Sequence, residues 1–158
     1  MGVAGSGKTT VGQELAAILH WPFFDADVFH SAANIAKMSS GIPLTDEDRM
    51  PWLMAMAEAI NSCLGQNQNA VFACSALKAA YRHILHLSDP GVKLVYLQGD
   101  FDLLYQRLQQ RQNHFMKPEM LRSQLETLEE PTPEAAIYVD VGEPLEAIVH
   151  HITTTLGL

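Results

Sequence analysis

Two cysteines in 158 residues are too few for a disulfide scaffold, and their settings separate them. Cys63 falls in a helical pattern and Cys74 closes an apolar strand pattern, so both are expected to be reduced core thiols of a cytoplasmic protein. Basic residues are scarce as well. Ten lysines and arginines stand against eighteen acids, and the net charge of −8 argues against a nucleic-acid surface while suiting an enzyme of small metabolites. No apolar run is long enough to span a bilayer, and no secretory signal pattern opens the chain, so no membrane role is expected. Internal repeats and low-complexity tracts are absent. His20, His83, His86, His150 and His151 share no ligand-like grouping, which argues against a histidine metal centre. What remains, at 47% hydrophobic and 18% charged, fits one soluble domain over residues 1–158.

The most informative stretch is Gly2-Val3-Ala4-Gly5-Ser6-Gly7-Lys8-Thr9, which matches G-x-x-x-x-G-K-[ST]. Its glycines let the backbone wrap a polyphosphate, with Lys8 reaching the β/γ phosphates and the Thr9 hydroxyl ligating Mg²⁺. Gly5, Ser6, Gly7, Lys8, Thr9 and Thr10 are therefore the expected nucleotide contacts, with ATP and Mg²⁺ as cofactors. Such a loop needs a strand before it and a helix after it. The helix is present, since Val11, Leu15, Ile18 and Leu19 recur on one face of Lys8 to Leu19. A strand averages about five to six residues, and only Met1, Gly2 and Val3 precede the loop, so the first strand is expected to be truncated.

Short apolar segments alternate with longer helical patterns, which predicts a parallel sheet flanked by helices. Strands are expected over Pro22 to Asp25, Ala70 to Cys74, Lys93 to Gln98 and Ala136 to Asp140. A helical insert is expected over about 29–65, with Thr45 and Asp48 resembling a capping box ahead of Pro51. Later helices are expected over Leu77 to Leu87, Phe101 to Arg111, Pro118 to Leu128 and Pro144 to Leu156, with a lid over about 112–120.

Asp25 and Asp27 lie two apart at the C-terminal end of a strand, the edge at which open parallel sheets bind ligands. Strand alternation would send both to one side, where one could support Mg²⁺ and the other take or orient a hydroxyl proton. A turn or helix-cap carboxylate is the plain alternative. Arg49 is a candidate anchor for an anionic substrate through its guanidinium fork, or else an exposed helical ion pair. Lys78 and Arg82 are four apart and share a predicted helix face with Tyr81 nearby, either serving a phosphate or substrate or simply solvated. Arg107 and Arg111 repeat the spacing beside the lid, where arginines can neutralise a transferring phosphoryl group or be ordinary surface charge.

These residues carry a family resemblance. Asp25-Ala26-Asp27-x-x-His30, Gly41-Ile42-Pro43-Leu44-Thr45-Asp46-x-Asp48-Arg49-x-Pro51-Trp52-Leu53, Cys74-Ser75-Ala76-Leu77-Lys78-x-x-Tyr81-Arg82, His114-Phe115-Met116 and Ser123-Gln124-Leu125-Glu126 occur in order. Together they resemble gluconokinases of the small P-loop type. The resemblance implies a three-layer P-loop kinase fold and ATP-dependent phosphorylation of D-gluconate at its 6-hydroxyl. It implies Lys8, Asp27 and Arg111 as catalytic residues, and Thr9 and Asp25 at the metal. Asp27, His30, Arg49, Lys78, Tyr81, Arg82 and His114 are implied at the sugar acid, with Arg107 and Pro144 beside the nucleotide. A homodimer is a further expectation from related enzymes. Two positions depart from the pattern: Ser31 follows the histidine where the family has Pro, and Asn113 precedes His114 where it has Gly.

Other readings of a phosphate-binding loop are less well served. No Asn-Lys-x-Asp segment marks a guanine site, and Cys74-Ser75 ends the second predicted strand where a motor ATPase would carry an acid. A kinase for another small molecule, or a nucleotide-binding module without transfer activity, remains as an alternative.

Overall fold

A computed structural model of the chain describes residues 1–110 and 118–158; the expected sites at Arg111 and His114, and the lid segment Gln112 to Lys117, lie outside the described residues. Its elements alternate as the sequence predicts. They are α1 (Lys8–Leu19), β1 (Phe23–Asp25), α2 (Ala32–Ser39), α3 (Asp46–Gly65), β2 (Val71–Ala73), α4 (Ala79–Ile84), β3 (Val95–Gln98), α5 (Phe101–Gln110), α6 (Pro118–Thr127), β4 (Ile137–Asp140) and α7 (Leu145–Leu156).

β1 pairs in parallel with β2, Phe24 facing Phe72, and β3 pairs in parallel with β4, Leu97 facing Val139. Residues 1–3 lie between the two pairs. The Leu97 N–H donates to Met1 O at 2.9 Å, the Met1 amino group donates to Val95 O, and the Gly2 N–H donates to Ser75 O at 3.3 Å. This is the hydrogen bonding of a parallel strand, compressed into the residues ahead of the loop, and no full strand forms there among the described residues. An apolar groove of about 420 Å³ opens beside Met1, lined by Ile60, Leu64, Val71, Phe72, Leu94 and Val95.

Helices cover both sides of this arrangement. One core joins Val11 and Leu15 of α1, Leu97 of β3, Leu104 and Leu108 of α5, Val139 of β4 and Ile148 and Ile152 of α7. The other joins Trp52, Leu53, Met56 and Ile60 of α3 to Cys74, Tyr81 and Leu85. The α3 residues recur at one-turn spacing, so a single face is buried. Leu53 and Met56 have no exposed surface, and sealing each from water contributes roughly 1.5–3 kcal/mol. Cys74 lies in this core, and burial pushes its thiol up to about 11, as expected of an inert thiol; Cys63 is also free.

Local chemistry sets the helix ends. Thr45 and Asp48 form a reciprocal capping box, with Thr45 Oγ1 accepting from the Asp48 N–H at 3.1 Å and Asp48 Oδ2 from the Thr45 N–H at 3.0 Å. Ser31, the departure from the family pattern, caps α2 by accepting from the Asn34 N–H at 3.2 Å. Asp100 accepts from the Leu103 N–H at 2.8 Å and starts α5. α4 is shorter than the predicted Leu77 to Leu87. Ala76 and His86 both have positive φ, 45° and 58°, so the backbone leaves helical geometry on each side of it. Among the described residues no helix is long and apolar enough to cross a membrane.

Candidate active site

The loop after Val3 turns through Gly5 and Gly7, with φ of 82° and 84°, into the N-terminus of α1. Gly7 caps this helix without a side-chain hydrogen bond, which leaves the first-turn N–H groups facing outward, where an anion is favoured. A Cβ at Gly7 would meet nothing within 4 Å, so the space beside the loop is open at that point. Ser6 adds a second indication. Its side chain is 1% exposed and its Oγ has no hydrogen-bond partner among the described residues, an orphaned polar atom that a phosphate oxygen would satisfy. Lys8 Nζ donates to Val3 O at 3.0 Å, which holds the amine over the loop. The Ala4 N–H is held from outside by Gln124 Oε1 at 2.7 Å, a contact across 120 residues that no local pattern announces.

Beside the loop is a cavity of about 290 Å³ lined by Gly5, Gly7, Thr10, Arg107, Gln110 and Glu143, among others. Arg107 borders it with Nη2 donating to Val141 O at 2.5 Å, which ties α5 to the turn after β4. Pro144, expected at the nucleotide, is not part of this lining. It is the N-cap of α7, between the lining residues Glu143 and Leu145. Gln110 carries no motif and was not anticipated from sequence.

The strand-end carboxylates sit against the loop in a different way from that expected. Strand alternation does not apply to Asp27, because the chain turns into a 3-10 helix over Ala26–Phe29 as soon as β1 ends. Asp25 caps this turn, Oδ1 accepting from the Asp27 N–H at 3.0 Å, while Oδ2 accepts from the Thr9 hydroxyl at 2.8 Å. The cap and the carboxylate expected at the metal are thus one residue. A hydroxyl and a carboxylate held together beside a phosphate cradle are oxygen donors suited to Mg²⁺, which keeps several waters and takes few protein ligands.

His30 follows the turn and stacks on Trp52, ring centres 4.5 Å apart, while Trp52 Nε1 donates to Ala26 O at 2.6 Å. Burial holds the His30 imidazole below its ordinary range, with Asp27 opposing and Arg49 reinforcing the shift. α2 is locked to α3 by Asn34 Nδ2 donating to Asp48 O at 2.7 Å and by the Lys37–Asp48 pair at 2.7 Å. Lys37 and the Thr45 N–H hold the Asp48 carboxyl down at about 2.

Arg49, Lys78 and Tyr81 come together. Arg49 Nη1 donates to Tyr81 Oη at 3.2 Å, and both cations lie near the Tyr81 ring, at 6.0 and 5.5 Å from its centre. Arg82 does not join them. It is 9% exposed and turns inward, Nη1 donating to Ala76 O at 2.9 Å and Leu77 O at 3.1 Å, contacts that tie down the strand-to-helix turn. Lys78 is the N-cap of the short α4 while Arg82 is inside it, and the predicted shared face is lost.

Comparison with known proteins agrees with this geometry. A family model described as Shikimate kinase matches residues 4–156. The thermoresistant gluconokinase of Escherichia coli (strain K12) is 45% identical over 94% of this chain and 86% of its own length. The chain belongs to the gluconokinase family. A probable gluconokinase of Mus musculus is 44% identical, covering 99% of this chain and 95% of its own. The crystal structure of a gluconokinase from Sinorhizobium meliloti 1021 superposes with a TM-score of 0.87 at 45% identity, over 99% of this chain and 89% of that one. The fold extends further, to a shikimate kinase from Bacteroides thetaiotaomicron at TM-score 0.69 and 19% identity. The three-layer P-loop kinase fold read from the sequence is therefore the fold of this chain.

Proposed function

We propose that this protein transfers the γ-phosphoryl group of ATP to the 6-hydroxyl of D-gluconate, giving 6-phosphogluconate and ADP. The observation that carries the reading is the Thr9–Asp25 hydrogen bond at 2.8 Å. It fixes the end of β1, and with it Asp27, against the phosphate loop, so that a base and a phosphoryl donor share one edge of the sheet. The Arg49, Lys78 and Tyr81 cluster supplies an anion site of the sort a sugar acid requires.

Phosphoryl transfer depends on positioning and charge more than on covalent chemistry by the protein. The loop amides, Ser6 Oγ and Lys8 hold the polyphosphate, and the base and ribose occupy the cavity beside Arg107, Gln110 and Glu143. Thr9 and Asp25 would hold Mg²⁺, which supplies charge neutralisation on the β and γ oxygens when bound. Asp27 receives the proton of the acceptor hydroxyl as that oxygen bonds to the γ-phosphorus and the bond to the ADP bridging oxygen breaks. His30, kept neutral and stacked on Trp52, lines the acceptor side as a hydrogen-bonding group. Arg49 and Lys78 hold the carboxylate at the other end of the sugar acid.

ADP release measured with ATP and Mg²⁺ against gluconate, other aldonates, shikimate and nucleoside monophosphates tests this reading. Turnover with gluconate in clear excess over the panel is the expected result. Turnover with shikimate or a nucleotide, and none with gluconate, would replace it.

A further inference from the structure

One carboxylate on the acceptor side has no part in the transfer scheme above. Asp46 is the first residue of α3, and its side chain is 60% exposed, as a solvated residue in the first turn of a helix would be. Its contacts are not those of such a residue. Lys78 Nζ donates to Oδ1 at 3.0 Å and to Oδ2 at 2.9 Å, the Tyr81 hydroxyl also donates to Oδ1, and Arg49 Nη1 stands 3.6 Å from Oδ1. Every member of the proposed carboxylate anchor therefore converges on Asp46. Lys78 and Tyr81 lie 32 and 35 residues away, at the start of α4, so the contact joins two separate helix ends.

Isolated exposed ion pairs add little to stability. A carboxylate gripped on both oxygens by an amine and on one by a phenol does something else, in that it fixes the direction of flexible donors. Lys78 would otherwise sample many rotamers from its position at the N-cap of α4. The charge also matters, because two cations and one carboxylate leave a single positive unit, matched to a monoanionic acid. Hydrogen bonds from Tyr81 and then Lys78 hold the Asp46 carboxyl below the usual carboxylate range, so it stays ionised at neutral pH.

We propose that Asp46 is a positioning residue of the acceptor site, holding Lys78 Nζ beside Arg49, with the Tyr81 hydroxyl as a brace between Arg49 and Asp46, so that the two cations receive the substrate carboxylate. This inference rests on the gluconate reading above, and its test separates the two. The Asp46→Asn, Asp46→Ala and Asp46→Glu variants are compared with the parent protein in two measurements. In the first, made without substrate, Lys78 acylation by a succinimidyl ester is followed by peptide mass spectrometry with Lys93 as internal reference. Lys78 labelling rises several-fold in Asp46→Asn and Asp46→Ala and returns toward the parent rate in Asp46→Glu. In the second, KM for gluconate rises at least about tenfold in Asp46→Asn while kcat stays within about twofold and KM for ATP is unchanged, the pattern of lost uniform binding. Asp46→Glu recovers part of the KM.

Unchanged Lys78 labelling, or an unchanged KM for gluconate in a parent protein that uses gluconate, overturns the positioning role. A parent protein that does not turn over gluconate overturns the functional reading instead. The labelling measurement then decides the positioning role by itself, with KM taken on whichever acceptor the panel returns.

Discussion

Replacing Gly5 or Gly7 by Ala separates two costs that are usually measured together. Both glycines sit in left-handed backbone geometry, φ 82° and 84°, where an L-residue is disfavoured by roughly 1–2 kcal/mol. They differ in what a methyl would touch. At Gly7 there is nothing within 4 Å, whereas at Gly5 the new carbon would stand 2.8 Å from Leu104 O and 3.1 Å from Leu108 Cγ. Leu104 is wholly buried and Leu108 is 3% exposed, so neither has room to retreat, and overpacking of this sort costs about 1–3 kcal/mol more. Urea unfolding without nucleotide should therefore show a loss of about 1–2 kcal/mol for Gly7→Ala and about 2–5 kcal/mol for Gly5→Ala. ATP binding by calorimetry reverses the simple ranking. The open space at Gly7 is the proposed phosphate cradle, so its methyl should weaken ATP at least about tenfold, or 1.4 kcal/mol, despite the milder effect on folding. Equal stabilities for the two variants would refute the clash argument, and unaltered ATP affinity in Gly7→Ala would refute the cradle.

One further outcome follows from the same geometry. Asp27→Asn should lower turnover by about 10²–10⁴ while ATP affinity survives, because a positioned base contributes about that much and Asp27 is not placed at the nucleotide; lost ATP binding would move Asp27 to a structural or metal role.

The features legible in the sequence were those written in neighbouring residues. The phosphate loop, the Thr45–Asp48 capping box and the four strands each depend on a few consecutive side chains, and each formed where the pattern stood. The misreadings arose where one local rule was extended past its end. Alternation was carried beyond Asp25 into a segment that had already turned into a 3-10 helix, and helical spacing was carried from Lys78 to Arg82 although α4 begins only after Lys78. Arg82 shows the physical reason. Its guanidinium meets the carbonyls of Ala76 and Leu77, which the positive φ of Ala76 turns away from ordinary helical pairing. Contacts such as Gln124 with Ala4 and Asp46 with Lys78 had no local signal at all, since their partners are 120 and 32 residues apart and only the packed layers bring them together.

Asp25 shows why the two readings of a strand-end carboxylate need not compete. A carboxylate has two oxygens that can accept in different directions, and here one caps the turn that carries Asp27 while the other takes the hydroxyl of Thr9. A cap alone would fix Asp27 relative to β1, and a Thr9 contact alone would fix the phosphate loop relative to Asp25. Made by the same side chain, the two contacts place the proposed base and the proposed phosphoryl donor in a single frame with one rigid residue between them. Reactions limited by the alignment of acceptor and phosphorus gain most from that kind of connection, because small displacements of either partner are costly. The short turn after β1 is thus the local structure that brings donor and acceptor chemistry to the same edge of the sheet.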